Sequence, residues 1–544
     1  MHPAALPLPL ISVMSEPTYR LADHTCVAPL VQNWAAWWMN VAPVPASLHV
    51  HKSQLPLLKA YLQSPEFHAR AAKDPALSGG TFVGIAPERA GEVKALLQQM
   101  QEAQADRVKM AEALEDFQGW LMEEAKGQSL EPLYEKVPEP LRGLVELSYD
   151  YFNRAFVRVM EGALYRGPYH KPQLQSLRLL RLESDSSRPH LFTTPYLMEP
   201  GQLDWAVPFA EERISRLFET DLSPRPLGYL RDVLGPAVTS DEQLLPLLTE
   251  APPSRYTPWD GPQPRVRYLG HACVLVEWKG ITLLVDPVIS ARPASGGMPR
   301  LTFHELPPRI DYALITHSHP DHLAIDTLLR LRHRIGHLVV PRSNGFLTGD
   351  YSPKLLARSL GFQNVLELES YESVPLPDGE LIAVPFLGEH GDIGHAKSSY
   401  VVRTGKQQLL FAADSMCVDD AVYRHMRQNL GPIQTVFMNT EIEGAPHTWT
   451  LEALFPKKRD RKLEKNRRCR GSNANEGLRL LELVGASRLY NYAMGLEPWM
   501  EHIIGPPSPP ETPRMKESER LLAEARNRGL TAQRLHGPMD LLLE

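Results

Sequence analysis

The stretch Thr316-His317-Ser318-His319-Pro320-Asp321-His322 closes the apolar run Asp311-Tyr312-Ala313-Leu314-Ile315. A strand of that kind delivers the chain to a loop at its C-terminal edge, where polar side chains can converge. His317 and His319 are two positions apart, so in extended backbone they point the same way and can reach one metal. Pro320 turns the chain, and Asp321 and His322 can then face a second metal. Core packing does not account for four metal-competent side chains in six positions. Imidazole with carboxylate suits zinc, iron or manganese.

The surroundings read as short strands. RVRYLGHACVLVEW (265–278), ITLLVDP (281–287), HLVVP (337–341), GELIAVPFL (379–387), SSYVVRT (398–404), QQLLFAAD (407–414) and IQTVFMN (433–439) carry β-branched and aromatic residues between turn signals. A helix is expected over Ala324–Arg332. Strands interrupted by helices predict an α+β fold, an αββα sandwich of two packed sheets. Upstream, APPSRYTPWDGPQP (251–264) has five prolines in fourteen residues and reads as a linker. The preceding half reads as mostly helical. Helices are expected over QLPLLKAYLQ (54–63), Pro87–Lys126, Leu141–Leu164, Phe209–Phe218 and Asp241–Leu248. The expected division is 1–260, a helical N-terminal domain; 261–505, the metal domain; and 506–544, a tail whose helix (Met515–Arg526) and apolar end MDLLLE pack back onto the body.

At 544 residues the chain is long enough for two to four domains. Its 58 Lys+Arg against 64 Asp+Glu give a net charge of −6, which argues against bulk nucleic-acid binding. One segment departs from this balance: residues 457–470 (KKRDRKLEKNRRCR) hold nine cations and two acids. It reads as a solvated loop, or as a dock for an acidic partner. The four cysteines, 26, 273, 417 and 469, form no CxxC pair and fit a reducing cytoplasm. The N-terminus lacks a cationic segment and a clear cleavage site, so no signal peptide is expected, and no apolar run approaches the ~18 residues of a membrane span. Trp34, Trp37 and Trp38 read as core packing or a subunit contact, with a ligand-pocket wall as the other reading.

The HxHxDH segment resembles the metallo-β-lactamase superfamily. Gly270-His271 and Asp286-Pro287 resemble that fold's early landmarks, and Asp414 stands where the superfamily has its metal-bridging aspartate. A late histidine is expected at the end of a last strand. His502 is the candidate, with Glu497, Glu501 and His447 as rivals. The segment Gly388-Glu389-His390-Gly391-Asp392 offers an acid and an imidazole side by side. In an extended strand only one of them faces a given side. An imidazole there looks hydrolytic and favours zinc; a carboxylate shifts preference towards iron.

With its large N-terminal half, the whole chain resembles the diiron β-hydroxylases of nonribosomal peptide assembly lines. The resemblance implies that His317, His319 and Glu389 hold one iron, Asp321, His322 and His502 the other, and that Asp414 bridges them. Glu441 and Glu443 are expected as catalytic carboxylates behind the ligands, with solvent-facing loop acids as the other reading. It implies hydroxylation at the β-carbon of an amino acid tethered to a carrier protein's phosphopantetheine arm. Dioxygen would be the co-substrate, with two electrons from an external donor and a homodimeric assembly. The rival readings are a dinuclear zinc hydrolase of phosphodiesters, esters or lactones, and a metal-binding scaffold without catalysis.

Overall fold

A computed structural model of the chain describes residues 16–543, apart from 75–76, 78–79, 255, 344–350, 391–395, 447–450, 456–459, 461 and 463–467. Most of the basic segment 457–470 therefore lies outside the described residues, as does His447.

Two seven-stranded sheets organise the C-terminal half. The first runs Val365–Leu368, Ile335–Pro341, Ile310–Leu314, Ile281–Val285, Cys273–Trp278, Arg265–Gly270, Met539–Leu542. The second runs Ser373–Leu376, Gly379–Val384, Ser399–Thr404, Gln407–Ala413, Thr435–Met438, Arg488–Asn491, Thr531–Arg534. Each sheet mixes hairpins with parallel neighbours. Val274, Val276, Leu283 and Val285 of the first sheet meet Leu381, Tyr400, Val402 and Phe411 of the second in one buried cluster. Helices Asp420–Leu430, Ala474–Val484 and Pro513–Asn527 contribute to the buried cluster with alternate residues of the second sheet. Helices Ile325–Leu331 and Pro353–Ser359 share a cluster with the N-terminal half and with the other face of the first sheet. This is the αββα sandwich. Residues 506–544 supply one edge strand to each sheet, so the tail is integral to the sandwich.

The N-terminal half is less helical than its sequence suggests. It carries a four-stranded sheet, Trp34–Ala35, Thr25–Val31, Gln175–Arg181 and Leu203–Ala206, and a three-stranded one, Arg225–Pro226, Thr18–Leu21 and Leu248–Thr249. The helix expected over Leu141–Leu164 is instead a hairpin, Val145–Tyr149 with Ala155–Val159, followed by a short helix over Glu161–Leu164. Val145 and Leu147 are buried while Glu146 is exposed, and Val157 is buried while Arg158 is exposed. That alternation is the period of a strand, and Asn153, at φ 60°, makes the turn. The Pro87–Lys126 region divides into helices Ala90–Ala103 and Ala105–Glu124. A buried ion pair ties the halves together: Arg330 Nε and Nη2 donate to the Asp221 carboxylate at 2.8 and 3.1 Å.

Candidate metal centre

The strand Ile310–Leu314 ends one residue before the histidine-rich loop, and neighbouring strands end at the same edge. Gly270-His271 follows the first strand of the sandwich, Asp286 follows Ile281–Val285, and Asp414 follows Gln407–Ala413. His271, Asp286 and Ala413 have φ of 51°, 40° and 47°, in the left-handed region. Such conformations cost on the order of 1–3 kcal/mol each and persist where surrounding structure enforces them. Here they turn the chain sharply at strand ends and bring side chains from several strands to one point.

Three overlapping triads form there, the ligand atoms of each lying within 4.8 Å of one another: His317, His319 and His390; His271, Asp321 and His322; His317, His322 and Asp414. Asp414 Oδ2 stands 3.3 Å from His317 Nε2, 3.1 Å from His322 Nε2 and 3.1 Å from His390 Nε2. Asp321 Oδ2 lies 3.0 Å from His271 Nε2 and 3.8 Å from His322 Nε2. The Nε2 atoms of His317 and His322 are buried and make no hydrogen bond. Buried polar atoms are nearly always paired, so bare nitrogens converging on carboxylates fit a bound cation.

The charge states of His317, His319, Asp321 and Asp414 agree, while, against burial, Asp414 holds His322 and His390 above the usual histidine range, so each must shed a proton to ligate. Burial, with His322 and His319 nearby, holds His317 neutral, well below the usual histidine range. Burial beside His390 lowers His319 to about 3. Burial alone would raise Asp414 and Asp321, but the surrounding imidazoles outweigh it and hold both carboxylates ionised. Behind the ligands, Asp286 is fully buried. It accepts from Thr316 N, Thr316 Oγ1 and His322 Nδ1, each at 2.7 Å. With Nδ1 donating to a carboxylate, His322 presents Nε2 to the cluster. Asn439 Nδ2 donates to the Asp414 carboxylate.

Two expected ligands are placed elsewhere. Glu389 is exposed, and the buried His390 takes the place beside Asp414. Gly388 has φ 106°, so the chain bends before these residues and strand alternation no longer decides which faces in. A φ of 106° is one that side-chain-bearing residues rarely adopt, and a Cβ there would also crowd Met416 Sδ at 2.5 Å, so the position favours glycine. His502 is buried but donates Nδ1–H to the Trp499 carbonyl at 3.0 Å, and it belongs to none of the three triads. Its rival Glu497 is also buried, and accepts from Tyr268 Oη at 2.5 Å.

A cavity of about 300 Å³ opens onto His271, His319, Asp321, His390 and Asp414. Trp37, Trp38, Phe192, Ile503 and Ile504 give it apolar walls, and Glu441 and Glu443 also line it. Glu441 Oε1 stands 3.5 Å from Arg514 Nη1. Trp38 stacks on Tyr351 with centroids 4.4 Å apart. Both readings hold for Trp37 and Trp38, which are core residues that also line this pocket, whereas Trp34 is core alone.

Residues 20–252 match the family described as the diiron non-heme beta-hydroxylase N-terminal domain. Residues 282–490 match the beta-lactamase superfamily domain. The 4-amino-L-phenylalanyl-[CmlP-peptidyl-carrier-protein] 3-hydroxylase of Streptomyces venezuelae is 32% identical over 529 residues, covering 95% of this chain and 98% of the relative. The chain belongs to the diiron β-hydroxylase family. The crystal structure of the Streptomyces venezuelae diiron β-hydroxylase CmlA superposes with a TM-score of 0.90 at 31% identity, covering 97% of this chain and 100% of the other. A point variant of CmlA gives 0.88, covering 96% and 100%. A metal-dependent hydrolase of Methanopyrus kandleri is 30% identical over 157 residues, 24% of this chain and 60% of its own.

This hydroxylase is thus a non-haem diiron amino-acid hydroxylase, and the family implies two irons. The donor set fits them: histidine nitrogens and ionised carboxylates, the ligands that suit non-haem iron. Sequence reasoning used His271 and Asp286 only as fold landmarks. Their signal was present: each is a polar residue directly after an apolar strand at the same sheet edge as His317.

Proposed function

We propose that the chain hydroxylates the β-carbon of an aminoacyl group carried as a thioester on a carrier protein's phosphopantetheine arm. Dioxygen is the co-substrate, and an external donor supplies two electrons. The observation that carries this reading is a metal-ligand cluster opening onto an apolar cavity, in a chain whose two halves both match the hydroxylase family. When bound, the two irons supply the oxygen-activating chemistry.

His317 and His319 would hold the first iron, Asp321 and His322 the second, with Asp414 between them. His390, grouped with His317 and His319, would join the first position, and His271, grouped with Asp321 and His322, the second. Asp286 orients His322, and Asn439 orients Asp414. The aromatic and aliphatic walls suit a flat, apolar substrate side chain and exclude water from it. Glu441 and Glu443 are the acids on the same cavity wall that can receive the substrate's ammonium group. This substrate class resembles the aminophenylalanyl group named for the Streptomyces relative.

An imidazole rather than a carboxylate beside the first metal position, like the beta-lactamase-type fold itself, is a feature that a zinc hydrolase would share. The match to the hydroxylase N-terminal domain argues for the oxygenase. The proposal includes a homodimer and a cytoplasmic setting; no described helix is long and apolar enough to cross a membrane. Mass spectrometry of aminoacyl-carrier substrates, incubated with iron-loaded protein, a reductant and labelled dioxygen, tests the activity. A gain of one labelled oxygen atom is expected. No gain across aromatic and aliphatic aminoacyl carriers, with phosphodiesterase turnover in its place, contradicts the reading.

A further inference from the structure

A second cavity, larger than the one over the metal cluster, lies beside it. It has a volume of about 730 Å³, and His190 stands in its wall and in that of the metal-bearing cavity. Its walls come from residues 72–74, 77 and 80–89, and from the segments around 186–197 and 501–506. The last two are tied together where Leu191 N donates to the His502 carbonyl at 2.8 Å. The volume lies within the roughly 300–1,000 Å³ of small-ligand sites.

The lining combines apolar and hydrogen-bonding groups. Phe82 and Ile85 supply apolar surface; Thr194, His190, His502 and Arg188 supply polar atoms. Arg188 has a side chain only 9% exposed, donates from Nη2 to Asp326 at 3.1 Å, and leaves a buried Nε without a hydrogen bond. His502 uses Nδ1–H on the Trp499 carbonyl, so its neutral ring keeps Nε2 as an acceptor. Lys73 is exposed at the rim. An occupant matched to this lining is long and thin, carries amides between aliphatic segments, ends in a phosphate outside and reaches the metal pocket inside.

We propose that this cavity receives the phosphopantetheine arm of the carrier, with His190 at the junction where the thioester passes to the metal pocket. The proposal rests on the carrier-tethered substrate proposed above. It gives His502, which does not join the metal triads, a place in the wall of the arm's path.

Gly84 allows a graded test. A Cβ there would lie 3.3 Å from Thr194 Oγ1 and 3.6 Å from Ala72 Cβ, so larger side chains project between two lining residues. The iron-loaded protein is titrated with 4′-phosphopantetheine by calorimetry, as wild type and as Gly84→Ala and Gly84→Phe. Wild type should bind, the Ala variant should bind nearly as well, and the Phe variant should weaken binding roughly tenfold or more while metal content and melting temperature stay unchanged. If Gly84→Phe does not fold, Thr194→Cys serves. Its thiol should be modified by a pyridyl-disulfide of phosphopantetheine faster than by the pyridyl-disulfide of cysteamine. Absent binding to wild type, binding indifferent to Gly84→Phe, or equal modification by the two disulfides would overturn the assignment. A zinc-loaded chain that hydroxylates nothing, yet binds phosphopantetheine in a Gly84-dependent way, would sink the oxygenase reading and leave the cavity assigned. Oxygen insertion with binding indifferent to Gly84 would do the reverse.

Discussion

Replacing Asp286 by Asn leaves the shape of a fully buried side chain almost unchanged but alters which atoms can donate. Asp286 accepts three hydrogen bonds of 2.7 Å, two from Thr316 and one from His322 Nδ1–H. An Asn can keep the Thr316 N–H bond through its oxygen, but its NH₂ group then faces His322 Nδ1. The ring answers by moving its proton to Nε2, the atom that faces Asp414 at 3.1 Å. A protonated Nε2 cannot ligate, so the second metal position loses an imidazole. Removing such an outer partner typically costs 10–100-fold in metal affinity, or about 1.4–2.8 kcal/mol. Thr316 Oγ1 also loses its carboxylate acceptor, a further cost of about 1–3 kcal/mol to the folded protein if it stays unpaired. The assay is metal stoichiometry against a competing chelator, with melting temperature measured on the same samples. The expected result is a second metal released at roughly tenfold or more lower chelator concentration, with the first position less affected. Two metals held as tightly as in wild type would refute the tautomer argument.

Other outcomes follow from the same structure. Burial lowers His49 and His304 to about 4. Both stay neutral in the folded chain and charge on unfolding, so the unfolded state binds more protons and stability falls as pH drops below about 6.5. Each should remove on the order of 3 kcal/mol by pH 4, and a melting temperature flat between these values would contradict this. Metal binding must release the protons of His322 and His390, whose carboxylate neighbours, outweighing burial, hold both above the usual histidine range. Calorimetry in buffers of different ionisation enthalpy should therefore show proton release near neutrality, and none would be the contrary result. Asp221→Ala strands the buried Arg330 guanidinium and should cost about 3–5 kcal/mol in denaturant unfolding; a loss under 1 kcal/mol would mean water reaches the pair.

Much of the sandwich was legible because its strands carry the pattern of a buried sheet, apolar and β-branched between turn residues. The histidine loop was legible for the same reason: Leu314 and Ile315 lead straight into it. The hairpin at 145–159 was misread because Tyr149, Tyr151, Phe152 and Phe156 satisfy a helical spacing as well as an alternating one. Packing of Val145, Leu147 and Val157 decides for the strand, and no local signal reports it. The choice between Glu389 and His390 turns on the bend at Gly388, whose positive φ is set by packing that includes Met416, a residue 28 positions downstream. His502 follows the last recognisable apolar run in the sequence, but the strand Arg488–Asn491 ends eleven residues earlier and a short helix separates the two. The cavities are assembled from loops of both halves, and loops carry no periodicity to read.

The exchange at residues 389 and 390 can be measured directly by iron content of Glu389→Ala and His390→Ala proteins; the structure predicts the greater loss in the histidine variant, and a loss confined to the glutamate variant would return the first position to a carboxylate. The oxygenase function depends on the occupant of the cluster. Protein produced in iron-rich medium should carry two irons per chain, as the family implies, with the near-ultraviolet absorption of a bridged pair. Stoichiometric zinc under the same conditions, with no iron retained, would contradict it.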